Sequence, residues 1–314
     1  MKLAPFYWIA AVSVSAGVLA EEPLALEYRF VKGKTRTFQV TNILQKRTEL
    51  GTNAIKNPIT TQTTFQQITF DSRVDSVADD GSATMMVTFR DASIKFTSTN
   101  TPQDDTALTQ QGQAMIAPIV GKSVVIAVDR LGEIKKIVGV EAIQKAIVET
   151  QKGELNREGA RIQFDEYYFV QLLQAAQPVV TEDSLSVGEK WPAIDNVPLG
   201  FEDKQLVRAI YYSLTGIKDG FASLSIVGKL TLLQPTGLDA DPQRQNIVEL
   251  LSGDVSGAST FDPILGCFRL VRLQMDFSLK FSVSNPNDPN RPILGLTDTR
   301  KITESTLITN ERRK

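Results

Sequence analysis

The stretch from Cys267 to Val283 limits the fold more than any other part of the chain. Val271, Leu273, Met275, Phe277, Leu279, Phe281 and Val283 alternate with Leu270, Arg272, Gln274, Asp276, Ser278 and Lys280. Successive side chains of a strand point to opposite faces, so a period of two gathers the apolar set on one side of a sheet. One covered face and one wetted face is the pattern of antiparallel sheet.

The same period recurs in shorter runs. Leu24, Leu26, Tyr28 and Phe30 predict a first strand, and Arg36 to Leu44 a second. Thr60 to Val77 and Ser82 to Phe96 flank Asp79-Asp80-Gly81, a favoured hairpin turn. Lys122 to Val128 and Ile134 to Val138 flank Arg130-Leu131-Gly132-Glu133. Gln205 to Leu214 and Phe221 to Leu233 flank Ile217-Lys218-Asp219-Gly220, and Ile247 to Phe261 reads as a further strand. Thr97 to Gly112 reads as a polar loop, and Thr303 to Ile308 as a last edge strand.

The period changes once. Val140, Ile143, Ile147 and Val148 form a helical stripe, as do Phe164, Tyr168, Leu172 and Ala175 before the stop at Pro178. Lys152 to Gly159 between them is polar and reads as a connector. The expected fold is therefore α+β, mostly antiparallel β, with two related curved sheets and a helical connector. The expected division is a signal peptide at 1–20, a first β-rich half at 21–138, the connector at 139–178, a second β-rich half at 179–284 and a polar C-terminal segment at 285–314. Asp80-Gly81 corresponds to Asp219-Gly220, and Pro118-Ile119-Val120-Gly121 to Pro263-Ile264-Leu265-Gly266, which suggests an internal repeat.

The first residues give an address. Lys2, the apolar run Phe6 to Val18, and Val18 and Ala20 before Glu21-Glu22 have the order of a secretory signal peptide cleaved near Ala20. The run is short of the roughly 20 residues that cross a bilayer, so no stable span is expected in the mature chain. The expected location is periplasmic or extracellular.

Composition then removes chemistries. The chain has 314 residues, one cysteine and no histidine. A Ser-His-Asp triad, a Cys-His dyad and His-ligated zinc are excluded, and one thiol makes no intrachain disulfide. The formal charge of −2 offers no basic surface for nucleic acid. Asp165-Glu166 suits the first turn of a helix, and Glu154 and Glu158 suit a solvated connector. Asp71, Asp75, Asp79 and Asp80 lack the spacing of a calcium loop. No catalytic residue, cofactor or metal ligand is assigned. Cys267 reads as a small buried apolar residue, and Trp191 as a core residue of the second half.

The turns Val31-Lys32-Gly33-Lys34, Asp80-Gly81, Gly121 with Asp129-Arg130-Leu131-Gly132, and Leu185-Ser186-Val187-Gly188-Glu189-Lys190-Trp191 resemble those of uncharacterised exported bacterial proteins. These occur in planctomycetes and related phyla and carry a domain of unknown function. The resemblance implies export and supplies no catalytic residues. The curved-sheet pattern also loosely resembles the periplasmic lipoprotein carriers, half-barrels that hold acyl chains on their concave side.

The expected function is non-catalytic binding of a lipid or other apolar or amphipathic ligand on a concave sheet. Its candidate residues are Val271, Leu273, Met275, Phe277, Leu279 and Phe281, with Tyr168 and Leu172 from the second helix. The alternative is a structural or interaction module of the cell envelope, pairing a protein partner along Thr60 to Phe70 or Thr303 to Ile308. A carboxylate-based hydrolase is the third reading.

Overall fold

A computed structural model describes residues 23–50, 59–99, 102–201, 204–233, 248–283 and 293–308. The proposed leader lies outside them. The elements run β1 (Thr35–Leu50), β2 (Ile59–Val77), β3 (Ala83–Ser98), α1 (Pro102–Ile116), β4 (Ser123–Val128), β5 (Ile134–Val138), α2 (Val140–Thr150), α3 (Glu154–Gln163), α4 (Glu166–Ala176), β6 (Lys190–Phe201), β7 (Lys204–Lys218), β8 (Phe221–Leu233), β9 (Val248–Asp262), β10 (Cys267–Val283) and β11 (Ile293–Leu307).

All strands belong to one 11-stranded antiparallel sheet, in the order β5-β4-β3-β2-β1-β11-β10-β9-β8-β7-β6. The two strand blocks of the sequence are thus joined through β1 and β11, with the helices α2 to α4 connecting the outer strands β5 and β6. Both Asp-Gly dipeptides turn hairpins. Asp219 and Gly220 both have positive φ, 54° and 76°, the two-residue turn whose twist suits a hairpin. After the hairpins the halves diverge, since α1 follows β3 where β9 follows β8.

Three sequence expectations are corrected. Thr303 to Ile308 is not an edge. It lies largely in β11, which pairs β1 on one side and β10 on the other, as in Lys301 opposite both Leu44 and Met275. Thr60 to Phe70 is likewise interior, in β2 between β1 and β3. Leu24 to Phe30 alternates as expected, with Leu26 and Tyr28 buried, yet it forms only one bridge, Leu24 to Leu185. It is an extended strap. The Tyr28 ring lies on Gly132, where a Cβ would come within 2.3 Å of it, and its hydroxyl donates to the Pro178 carbonyl at 2.7 Å.

The polar stretch after Thr97 is also corrected, because much of it is helix α1. Asp105, Thr109 and Gln113 recur every four residues, and their side chains accept from the backbone N–H of Ser98, Phe96 and Ile94 at 2.9, 3.0 and 3.1 Å. Beyond Thr88, β3 has no pairing from β4. A step of about 6 Å along one helix face roughly matches two residues along a strand. The helix therefore occupies the place of a missing strand and covers an edge that would otherwise pair with another chain. Gly112 lets it lie close, since a Cβ there would stand 2.6 Å from the Phe96 ring. The expected polar connector likewise contains helix α3, whose Arg161 meets Glu154 and Glu158 at 3.3 and 2.8 Å.

Two cores follow. One joins Phe38, Phe70, Val87 and Phe89 of the first half to Ile143 and Ile147 of α2 and Phe169 and Leu173 of α4. The other joins Leu224, Ile226, Val255 and Phe261 of the second half to Leu26, Tyr28, Val180 and Leu185 of the straps. Cys267 is fully buried in the first. Arg208 of β7 comes within 3.9 Å of the Met275 sulfur on β10. In a flat sheet strands three places apart lie roughly 14 Å from one another, so the sheet curves inward here.

Candidate functional site

Helical filling stops at α4. Between that helix and the inner face of the second half lies a cavity of about 620 Å³. Tyr168, Leu172 and Ala175 line it from α4, and Val179 and Val180 from the segment that follows. Trp191, Ala193 and Asp195 of β6, Arg208, Ile210 and Tyr212 of β7, and Ile226 of β8 form the far wall. Val271 and Leu273 of β10, Lys301 and Thr303 of β11, and Val40 and Asn42 of β1 form the floor.

Glycine recurs on the inner face of the second half. Gly257 of β9 faces Leu273 and Ile226 in the ladder, Gly253 faces Phe277, and Gly228 of β8 faces Ile210. These positions share the inner face, and each lacks a side chain where the first half has one. They are also required by close approach. A Cβ at Gly257 would stand 2.3 Å from the Arg272 carbonyl oxygen, and one at Gly228 2.3 Å from that of Ala209.

Four of the eight predicted residues meet at this cavity: Val271, Leu273, Tyr168 and Leu172. Met275 is buried beneath it, against Arg208. Phe277 borders a separate polar depression of about 420 Å³, and Leu279 and Phe281 lie farther along β10, with Phe281 packed over Gly295. The charges of that depression answer one another, as Arg300 meets Asp276 at 2.6 Å and Arg47 meets Asp298 at 3.5 Å. The larger cavity differs in this respect.

Sequence reasoning missed its polar groups. Arg208 and Asp195 stand opposite one another on β7 and β6, and the guanidinium donates through Nε to Asp195 Oδ1 at 2.8 Å and through Nη2 to Oδ2. This fork holds the carboxylate on both oxygens. On the floor, Thr303 donates to Asn42 at 2.8 Å, Asn42 to Gln66 at 3.4 Å, and Gln66 to the Tyr168 hydroxyl at 3.1 Å. Beside that chain stands Lys301, partly buried, whose ammonium has no hydrogen-bond or ion-pair partner among the described residues. Burial lowers its pKa to about 8, Arg208 pushes the same way, and Asp195 opposes both. Trp191 stacks on Tyr212 at 4.9 Å and 13°, and its indole N–H is buried without a partner. The hydroxyl of Tyr167, at the start of α4, is also buried and unpaired. Burial raises the Tyr168 and Tyr212 hydroxyls to about 12.

The other candidate acids are engaged elsewhere. Asp165 caps α4, accepting from the Tyr168 N–H at 2.8 Å. Asp71 accepts from Arg90 and Thr37, and Asp75 from Arg73.

A family model matches residues 80–264. The chain belongs to DUF6263, a family of unknown function. The DUF6263 match takes in all four helices and the cavity wall on β6 and β7, while β1, β10 and β11, which form the floor, lie outside it. No curated protein sequence matches the chain. Among solved structures, the chain is similar to a lipovitellin described in terms of lipid–protein interactions, with 8% identity over 91% of this chain and 27% of that one, at a TM-score of 0.41. The chain thus spans about a quarter of that protein's length. It is also similar to DynF of the dynemicin biosynthesis pathway of Micromonospora chersina, with 7% identity over 99% and 95% of the two chains at a TM-score of 0.20. A third is the outer membrane protein OprG of Pseudomonas aeruginosa, with 9% identity over 88% and 98% at 0.23. Scores this low carry no functional argument. Among the described residues no helix is long and apolar enough to cross a membrane.

Proposed function

We propose that this chain is an exported, non-catalytic binding protein for an apolar or amphipathic ligand of lipid-like character, held between α4 and the inner face of the second half of the sheet. One observation carries the reading. The cavity of about 620 Å³ is amphipathic, with Val271, Leu273, Ile210, Ile226, Leu172 and Val180 on its apolar surfaces and Asn42, Asp195, Arg208, Lys301 and Thr303 among its polar groups. Its volume falls in the range of about 300–1,000 Å³ usual for small-molecule sites. Export is read from the leader sequence, and the ligand would be met in the periplasm or outside the cell. The division into a first half, a helical connector and a second half belongs to the same proposal, with the connector supplying one wall of the site.

A neutral fluorescent probe, N-phenyl-1-naphthylamine, tests the reading directly. Saturable binding at one site per chain is expected, and its loss in Ala175→Trp, which fills the cavity from α4. Protein isolated from its own host is expected to release a lipid-like molecule on denaturation. A wild-type protein that neither binds the probe nor carries such a molecule would overturn the proposal.

A further inference from the structure

Lys301 is placed where a lysine is costly. It sits on the central strand, facing the cavity, between Met275 and Leu44 in the ladder and next to Leu273 and Thr303. Burying an ammonium is unfavourable unless an anion or hydrogen-bond acceptors replace the water it loses. Arg208 has its carboxylate in Asp195, and Arg269 has Asp262 at 2.9 Å. Lys301 has none. Asp195, Arg208 and Lys301 together sum to one positive charge, and the fourth charged group of the lining, Glu133, is engaged by Lys135. The Trp191 indole N–H, on the same cavity, is a second donor without an acceptor. On either side of it the inner face of β11 is hydroxylic, with Thr297, Thr299, Thr303 and Ser305 in the same alternation.

We infer that the ligand is a fatty carboxylate, a single acyl chain whose acid head is neutralised by Lys301 while its tail lies along Leu273, Val271, Ile226 and Ile210. This inference rests on the cavity reading above and adds the head group to it. One unpaired charge matches a monoanion. The cavity volume accommodates one long acyl chain.

The groups facing Lys301 set how binding responds to pH. Asp195 on β6 and Arg208 on β7 hold each other, Glu133 at the β5 side pairs with Lys135, and Tyr168 and Tyr212 stay neutral until about pH 12. Lys301 is thus the group that titrates within the site near neutrality, losing its charge as pH rises through about 8. A bound carboxylate raises its pKa, so binding takes up a proton above that pH and weakens as pH climbs.

The test compares tetradecanoate with its methyl ester, with N-phenyl-1-naphthylamine as the neutral control. In wild type at about pH 7 the acid is expected to bind at least about tenfold more tightly than the ester, the size of one charge-assisted contact. That preference should fall toward parity at about pH 10. It should vanish in Lys301→Met at all pH values and persist to higher pH in Lys301→Arg, while the neutral probe still binds to each with no dependence on pH between about 7 and about 10. Equal affinity of wild type for acid and ester, or an acid preference retained in Lys301→Met, overturns the inference. Stoichiometric uptake of phosphatidylglycerol from vesicles with no uptake of tetradecanoate overturns it as well. Failure of wild type to bind the neutral probe, with no lipid-like molecule carried from its host, instead overturns the cavity reading, so the two failures are distinguishable.

Discussion

The two halves of the sheet are built from the same alternating strands and use their inner faces differently. In the first half, β1 to β3 contain no glycine, and their inner side chains pack against α2 and α4, as Phe89 does on Phe169 at 5.7 Å. In the second half, β8 and β9 place Gly228, Gly253 and Gly257 on the inner face, and the covering comes from extended straps and α4 alone. A filled core and an open cavity therefore arise from one pattern. A shortage of helix over the second half separates them, while glycine on its covered face lets neighbouring strands approach closely.

Truncation is the strongest way to break this comparison. Phe89→Ala is expected to cost about 3–5 kcal/mol in urea unfolding, because its site is closed on all sides. Leu273→Ala, already bordering empty space, should cost less than half as much. Equal losses would mean that the second half is as tightly filled as the first.

Lys301→Met should stabilise the ligand-free protein by about 2 kcal/mol near neutral pH, after allowance for water at the cavity. The sign follows from the depressed pKa. The folded chain holds Lys301 less favourably as an ammonium than the unfolded chain does, so wild-type stability gains as pH rises from about 8 toward the ordinary lysine value of 10.5. Denaturant midpoints between those values should rise less in Lys301→Met than in wild type.

Gly257→Ala should cost roughly 2 kcal/mol and reduce probe binding, because the new methyl meets the Arg272 carbonyl. The smallest effect concerns the first half. Gln113→Ala removes the acceptor for Ile94 N–H and the donor to Ala92 O, at a cost of about 1–2 kcal/mol. Increased self-association, read by light scattering, should accompany it if α1 guards the edge of β3.

The sequence conveys the strands and hairpins well, because a two-residue period and Asp-Gly turns are local properties. It conveys α2 and α4 through their apolar stripes. Helix α1 escapes because what holds it is mainly Asp105, Thr109 and Gln113 bonded to a strand edge, and those residues read as loop. Strand β11 reads as a polar edge because its inner face carries Thr297, Thr299, Lys301 and Thr303 in place of apolar residues. Four residues of the candidate site, Val271, Leu273, Tyr168 and Leu172, are visible in periodicity. Asp195, Arg208 and Lys301 are not, since single charges in polar alternation announce neither their face nor their partners.

The seam between β1 and β11 has a consequence for how such a chain is made. Phe38 opposite Leu307 ties the first strand of the described residues to the last. As the polypeptide emerges, β1 can pair with β2 at once, yet its other side waits for residues 293–307. Until they arrive, the middle of the sheet is two unzipped margins, so a stalled or truncated product carries its stickiest surfaces where the finished protein has none.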